Sequence, residues 1–445
     1  MKNVVVFVVA AAAATALVAG AGASGERAPA GVQLTSISSV HRYLASIGVD
    51  PRTVVVQRGR RNYAGPSCPG KGWSCTTARR VVQISYQQNP NIFECSPAGP
   101  GTDPATNTCV IVQTNVAAAN VARCRMQNTD VVVAQSCSIT QSNERGANRA
   151  TVDLLARLRG GTAQDGRQTV EVHQSNGSGL NNLDSLQRVD GLLGTLGPTQ
   201  AQEGHQTLAA DQTSTSGNNN SQMKQFQTLR ATANIPAGLD QRQNAVDGGP
   251  NLDADLKQNS MSGRNSSLLD QGLNLNLLAQ SKTGPVSQRQ GSPTGGLRGH
   301  IDQMSSRPST TTAFQDEDLN AHATTPPGTL TQVQFGPTDC CTDQLGNANN
   351  VFDINQESKL FSDGGLQQSR INGQCVTSGR CTVDQLQRTD DDLLTNSDSC
   401  TGSVEFPCSV FIGIVCFPEE GCFRTGGGEG GPTLVERRLA RIEQP

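Results

Sequence analysis

Five histidines are the first residues in this chain that could act in catalysis or bind a metal ion. They are His41, His173, His205, His300 and His322, and none belongs to a His-Glu-x-x-His motif or a comparable ligand pattern. A zinc site needs several ligands at short, defined spacings, which these histidines do not provide. The pattern predicts solvated histidines, with no catalytic residue and no metal site.

The charged segments suggest no cofactor either. Two acidic runs occupy residues 316–318 and 390–392, but neither has the alternating oxygen ligands and glycine turn of a calcium loop. We therefore expect solvated turns there. A short basic cluster lies at 58–61, and the net charge of −3 leaves no basic footprint for nucleic acid. No cofactor and no nucleic-acid partner are expected.

Fourteen cysteines form the third reactive set, and their expected chemistry is disulfide formation. Their number is even, and no Cys-x2-Cys pair suggests zinc. Disulfides are typical of exported proteins. The first residues agree with export, because Lys2 precedes an apolar run at 4–18 and a small-residue cleavage site at 21–23.

These features predict a secreted protein, extracellular or on the cell surface, whose mature chain begins near Ser24. The alternative for the first segment is a membrane anchor. Its apolar run is short for a span of about 20 residues. We therefore expect no membrane span after the signal is removed.

One repeated pattern dominates the rest of the chain: Gln-x4-Gly-x-Asn-x-(Ala/Ser/Leu)-x3-Gln. Complete copies occupy 174–187, 212–225 and 258–271. Copies that begin at Gln113 and Gln141 end on Met126 and Leu154, and looser copies occupy 290–303 and 374–387. The positions that recur from copy to copy form the predicted structural ladder. They are Gln113, Asn120, Gln141, Gly146, Asn148, Gln174, Gly179, Asn181, Gln187, Gln212, Gly217, Asn219, Gln225, Gln258, Gly263, Asn265 and Gln271.

Stepping by two residues from each first glutamine places amides and apolar residues on one face, which is the period of a β-strand. Each copy then reads as two strands joined by a turn, with glycine supplying a permissive backbone. Stacked arches would align Gln over Gln and Asn over Asn, as in cross-β assemblies. The composition, 35% hydrophobic and 3% aromatic, leaves disorder as the alternative.

The repeat register makes specific disulfide predictions. Folding an arch about its turn sets Cys109 opposite Cys124, so these two are predicted to pair. Cys137 lies one coil away and is the competing partner. Cys375 and Cys381 flank one turn and are a second candidate pair.

The predicted fold is all-β, a β-arch or β-solenoid repeat array with irregular loops, a small helix at 35–48 and some disorder. Composition divides the chain further. The predicted segments are a signal peptide (1–23), a Cys-bearing N-terminal capping region (24–104), the repeat array (105–305), a Ser/Thr/Pro-rich linker (306–337), a second repeat block (338–390) and a Cys- and Gly-rich tail (391–445).

The repeat resembles the curlin repeat of bacterial curli subunits, which has the form Ser-x5-Gln-x-Gly-x-Gly-Asn-x-Ala-x3-Gln. Gln141, Gly146, Asn148 and Ala150 occur in the same order, although the turn is two residues longer. The resemblance covers about half of the chain and implies a secreted β-solenoid subunit of cell-surface amyloid fibres. The uneven gaps between copies and the many cysteines differ from curlin.

Three functions are compatible with this sequence. The first is a structural or adhesive extracellular protein that self-associates into fibres or joins a surface or matrix polymer. The second is a soluble polysaccharide- or surface-binding solenoid, for which Trp73 would be the contact residue. The third is a polysaccharide-active enzyme on a parallel β-helix, which would need a repeated cluster of charged residues. We expect the first, and no enzyme.

Overall fold

The structure is a computed structural model in which strands from distant parts of the chain pair in parallel and in register. It describes residues 50–58, 61–85, 89–97, 107–194, 197–235, 238–325, 329–345, 349–363, 366–377, 380–388, 393–401, 408–417 and 421–425, together with Arg42 and Ala45. The predicted signal peptide and the glycine run of the tail lie outside these residues, as does nearly all of the predicted helix at 35–48.

The described strands number twenty-six. The first are β1 (Val55–Arg58), β2 (Asn62–Ala64), β3 (Ser74–Thr76), β4 (Arg80–Ile84) and β5 (Asn91–Cys95). Longer strands follow: β6 (Thr108–Asn115), β7 (Asn120–Asp130), β8 (Val132–Asn143), β9 (Asn148–Arg159), β10 (Ala163–Asn176), β11 (Asn181–Leu193), β12 (Thr199–Ser214) and β13 (Asn219–Ile235).

The strands of the C-terminal half complete this set. The parallel ones are β14 (Leu239–Gln243), β15 (Leu252–Ser260), β16 (Asn265–Ser281), β17 (Val286–Gln290), β18 (Leu297–Ser305), β19 (Thr310–Thr324), β20 (Leu330–Leu345), β21 (Val351–Ser362), β22 (Leu366–Thr377) and β23 (Arg380–Arg388). The last three are β24 (Leu393–Thr401), β25 (Cys408–Phe417) and β26 (Gly421–Thr425). A 3₁₀ turn, Pro51–Thr53, precedes β1 and is capped by Asp50.

The strands form two sheets, called sheet A and sheet B here, of fourteen and twelve strands. Sheet A runs from β1 through β4, β6, β8, β10 and β12 to β26, and sheet B runs from β3 and β2 through β5, β7 and β9 to β24. Successive strands of the chain alternate between the sheets in most coils, so each pair is an arch. The fold is therefore the predicted all-β solenoid of stacked arches.

A thin core lies between the sheets, because alternate side chains point inward. One inward column of sheet A contains only aliphatic residues, joined coil to coil by the strand register: Ile111, Ile139, Val172, Ala210, Leu256 and Ile301. Each of these residues is buried. Burial of such side chains stabilises a fold by about 25 cal/mol per Å² of apolar surface.

Two insertions interrupt sheet A without breaking the stack. β12 pairs with β14 through residues 199–202 and with β15 through residues 206–214, so the segment between β14 and β15 leaves the sheet. A second insertion, between β17 and β18, follows in the next coil. The long strand β20 then pairs with both β17 and β18. These insertions explain part of the uneven spacing of the repeats, and the lengthening of the strands from β8 to β13 explains the rest.

The strand pairing bears on two of the predicted segments: it contradicts the linker, whereas the capping role of the N-terminal segment stays a prediction. The segment 24–104 contains β1, β2, β4 and β5, which are coils of the same solenoid and share its register. The expected linker at 306–337 contains β19 and the first half of β20, paired on both sides. The prediction failed there because the Ser/Thr composition of an outward strand face is also typical of a linker.

The C-terminal end differs from the rest because its strands are antiparallel. β25 pairs with β22, β26 pairs with β25, and β24 pairs with β23 in that orientation. Both sheets therefore end on reversed strands, which blunt the parallel edge that another coil would extend. Among the described residues no helix is long and apolar enough to cross a membrane.

Candidate functional site: the axial amide ladders

A column of nine buried glutamines runs along sheet A from Gln57 to Gln344. After the first member, each Nε2 donates to the Oε1 of the glutamine one coil toward the N-terminus, at 2.6–2.9 Å. Its members are Gln57, Gln83, Gln113, Gln141, Gln174, Gln212, Gln258, Gln303 and Gln344. The parallel register creates this ladder, because it places identical side chains one strand spacing apart.

The second N–H of these glutamines crosses the arch. In five coils it donates to the backbone carbonyl eight residues downstream, as Gln141 does to Arg149 and Gln174 to Asn182, both at 3.0 Å. The same amide thus joins two coils and closes its own turn. A buried amide left without such partners would cost about 1–3 kcal/mol.

Seven asparagines form a second ladder at the start of the sheet B strands. They are Asn62, Asn91, Asn120, Asn148, Asn181, Asn219 and Asn265, with Nδ2 to Oδ1 distances of 2.8–3.0 Å. Each donates toward the C-terminal end, opposite to the glutamine ladder. In all seven the side-chain amide also reaches the carbonyl that follows the next ladder glutamine, as Asn148 does to Ser175 at 2.8 Å.

The closing glutamines form a third ladder, from Gln187 through Gln225 and Gln271 to Gln315 and Gln356, each step at 2.8 Å. In the earlier coils the same column contains Met126 and Leu154, which are buried and apolar. The repeat copies that lack the closing glutamine therefore extend the core instead of the ladder.

Two further glutamine ladders in sheet A were not found by sequence reasoning. One joins Gln164, Gln202, Gln243, Gln290 and Gln334 at 2.8–3.1 Å. The other joins Gln200, Gln241, Gln288 and Gln332 at 2.7–2.8 Å. The available signal was the Gln-x-Gln spacing at 200–202, 241–243, 288–290 and 332–334.

The turn glycines serve a different purpose from the one expected. Gly146, Gly179, Gly217 and Gly263 are absent from the residues with positive φ. A Cβ on Gly217 would instead overlap the carbonyl of Gly179, and one on Gly263 would overlap that of Gly217. These glycines are needed because turns of successive coils stack in close backbone contact.

The looser repeat copies were placed incorrectly. Gln290 and Gln303 belong to two different strands of sheet A, β17 and β18, so they do not close one arch. The real coil continues from Gln303 to Gln315, where Ser309 follows Asn265 in the asparagine column. Near the C-terminus the register aligns Gln356 with Gln385, so the copy proposed at 374–387 was also out of step.

The predicted Cys109–Cys124 disulfide is wrong. Cys109 is bonded to Cys95 and Cys124 to Cys137, with Cα–Cα distances of 6.2 and 6.5 Å. Each bond joins a sheet B strand to the next sheet A strand along the chain. The cysteines form two neighbouring columns, with Cys95 stacked on Cys124 in sheet B and Cys109 stacked on Cys137 in sheet A. The observed pairs therefore differ from the predicted pair by a shift of one coil between the two columns.

A further disulfide joins Cys68, in the loop between β2 and β3, to Cys75 in β3. Three disulfides indicate folding in an oxidising environment. The backbone register sets Cys375 opposite Cys408 and Cys381 opposite Cys400 in the antiparallel end. The pairing of Cys375 with Cys381 stays a prediction.

A buried carboxyl group is the other feature that the sequence did not reveal. Glu317, in the acidic run expected to be a solvated turn, is completely buried between Leu273 and Ser358 of the neighbouring coils. Neither carboxyl oxygen has a hydrogen-bond partner of good geometry, although the Ser358 side chain is close enough to oppose the rise in pKa. Burial, with the nearby charge of Asp316, raises the pKa of Glu317 well above its usual range. Gly336 makes the space, since a Cβ there would lie 2.7 Å from Oε2.

The residues considered for catalysis or ligand binding are not brought together. His173 lies on the outer face of sheet A, where its Nε2 is 2.9 Å from Glu171 Oε1. In the part of the chain that the structure describes, no three His, Cys, Asp or Glu side chains are grouped as metal ligands. Trp73 packs edge to face on Tyr63 at 6.4 Å, and the Arg61 guanidinium lies 5.8 Å from its ring centroid.

The fold and these ladders define a disulfide-bonded β-solenoid with polar side-chain ladders inside. Comparison with protein-family models, with curated proteins and with solved structures found no match to the chain.

Proposed function

We propose that this protein is a secreted structural or adhesive component of a cell surface or extracellular matrix. The observation that carries the proposal is the glutamine ladder, which is continuous from Gln57 to Gln344. In this ladder each coil supplies hydrogen-bond partners to the next. Ten parallel levels of sheet A, at about 4.8 Å each, make a rod roughly 45 Å long.

Several features support a mechanical role for such a rod. Parallel in-register pairing along the axis resists extension, because pulling the ends must break a whole strand ladder at once. Amide ladders add side-chain hydrogen bonds at every level. The disulfides Cys95–Cys109 and Cys124–Cys137 join successive coils near the N-terminal end, and they agree with secretion.

The antiparallel strands β24, β25 and β26 are relevant to whether the rods could join end to end, as in a curli-like fibre. Coil-on-coil growth at the C-terminal end would require these strands to leave both sheets. We therefore favour rods that associate through their lateral faces over rods that extend one another end to end.

The proposal is tested with the oxidised protein lacking residues 1–23. The protein is added to cells of the source organism whose own gene has been deleted, and the insoluble surface and matrix fraction is separated. We expect the protein to be retained there. Protein that stays in the supernatant, together with an unchanged matrix in the deletion strain, would exclude a structural role.

A parallel measurement separates the two modes of assembly. Thioflavin fluorescence is followed over time with and without preformed seeds. A seeded, concentration-dependent rise would show end-to-end cross-β growth, whereas retention in the matrix with a flat trace would support lateral association.

A further inference from the structure

Between β7 and β21, the outer face of sheet B is divided into a basic and an acidic half along the solenoid axis. Glu94 of β5 and the outward register positions of β23, which are Arg380, Asp384 and Arg388 among others, lie beyond these two halves. At the outward positions of β7, β9, β11 and β13 there are eight basic residues and three acidic ones. The basic residues include Arg123, Arg125, Arg157, Arg188 and Arg230, all exposed.

The next three strands carry the opposite charge. The outward positions of β16, β19 and β21 hold five acidic residues, with Lys359 and His322 as the basic or titratable ones. The acidic residues are Asp270, Asp316, Asp318, Asp353 and Glu357. Partial burial, together with the neighbouring charges of Glu357, Asp318 and Asp270, raises the pKa of Asp316, although Lys359 opposes the shift.

Apolar side chains lie between these charges. Leu155, Leu186, Phe226 and Leu268 occupy outward positions of four successive strands and are half-buried, and Phe314 of the next strand is 43% exposed. By the strand register these apolar residues lie in three neighbouring columns, interspersed with Arg188, Lys224 and Asp270. A surface that mixes apolar and charged side chains has the composition of a protein interface, because burial of the apolar groups stabilises the contact and the charges set its orientation.

We propose that the outer face of sheet B binds a second copy of this chain in antiparallel orientation. This orientation places the basic half of each copy on the acidic half of the other, and both contacts are made by the same two-fold symmetric surface. The parallel orientation would oppose like charges. The inference rests on the proposed function, because it specifies how the rods associate laterally.

Two charge-reversed variants test the interface. Arg157→Glu with Arg188→Glu lowers the formal charge of the basic half from +5 to +1, and Asp270→Lys with Asp316→Lys raises that of the acidic half from −4 to 0. Sedimentation velocity of the full oxidised protein should show wild-type dimers in about 50 mM salt that dissociate in about 500 mM salt. Each variant alone should dimerise at least about tenfold more weakly. An equal mixture should dimerise more strongly than either variant, because the unchanged acidic half of the Arg variant then meets the unchanged basic half of the Asp variant.

The matched control is Asp255→Lys with Asp302→Lys, which makes the same charge change on the outer face of sheet A and should dimerise like wild type. Circular dichroism of each variant checks that it is folded. A monomeric wild type in low salt, variants that dimerise normally, or a mixture that stays monomeric would overturn the proposal. Loss of dimer in the Arg variant alone would show that the basic half contacts some surface other than the acidic half of the second copy, which would also overturn the antiparallel arrangement.

The two proposals fail in different ways. Matrix retention by a protein that is monomeric in solution would leave the structural role standing without this interface. A charge-dependent dimer that is not retained would keep the interface and exclude the role.

Discussion

Gln141 and Asn148 lie at the two ends of one turn and direct their amides in opposite axial directions. Gln141 donates to Gln113 toward the N-terminus at 2.8 Å, and Asn148 donates to Asn181 toward the C-terminus at 2.9 Å. Hydrogen-bonded amides in a row polarise one another. Because the two ladders oppose each other, their dipoles offset, and every turn is held to both of its neighbours.

Loss of a glutamine from the interior of a ladder should destabilise the protein more than loss of the glutamine at its end. Gln271 donates to Gln225 and accepts from Gln315, both at 2.8 Å. Gln187 is followed on the N-terminal side by Leu154, so only Gln225 depends on it. Gln271→Leu should therefore lower the free energy of unfolding by about 1–2 kcal/mol more than Gln187→Leu. Urea-induced unfolding measures the difference, and equal losses would show that the ladder adds nothing beyond burial.

Alanine at a stacked turn glycine should be strongly destabilising. Gly217→Ala would drive its Cβ into the Gly179 carbonyl, and relief requires the turns to separate, at about 1–3 kcal/mol or more. Gly194→Ala is the control, because a Cβ there meets no atom within 4 Å. Thermal unfolding of the two variants provides the comparison; similar melting temperatures would mean that the turns are not in contact.

The stability of the protein should depend on pH through Glu317. Its pKa is raised in the folded state, so its contribution is complete below the unfolded pKa of about 4.5 and is lost as the pH rises toward the folded value. Glu203 acts in the same direction, because burial raises its pKa to about 7. We expect Glu317→Gln to reduce the loss of unfolding free energy between pH 4.5 and 8. Identical pH profiles of wild type and variant would contradict this assignment.

The two disulfides that join coils should be found as Cys95–Cys109 and Cys124–Cys137. Each closes a short loop, of sequence separation 14 and 13, and should stabilise the protein by about 3 kcal/mol. Peptide mapping of the unreduced protein identifies the pairs directly. Recovery of a Cys109–Cys124 peptide would restore the pairing derived from the repeat alone. The same map reveals the partners of Cys375 and Cys381.

Much of one coil was predictable from its own residues. The period of two correctly predicted the inward set of the copy at Gln141, including Ile139, Ala150 and Val152, all of them buried. The Gln and Asn positions also predicted which amides stack. The coils at Gln57 and Gln83 escaped detection because their ladder asparagines, Asn62 and Asn91, follow after five and eight residues instead of the seven of the repeat, although the ladder includes both.

The sequence by itself determined the inward and outward faces of each arch, because alternation along a strand is a local property. Only the tertiary structure decided how the arches stack. The cysteine partners depend on the rise of the chain from one coil to the next, and the burial of Glu317 depends on coils that are 44 and 41 residues away. The two charged halves of sheet B also arise only after stacking, which brings residues of seven separate strands onto one surface.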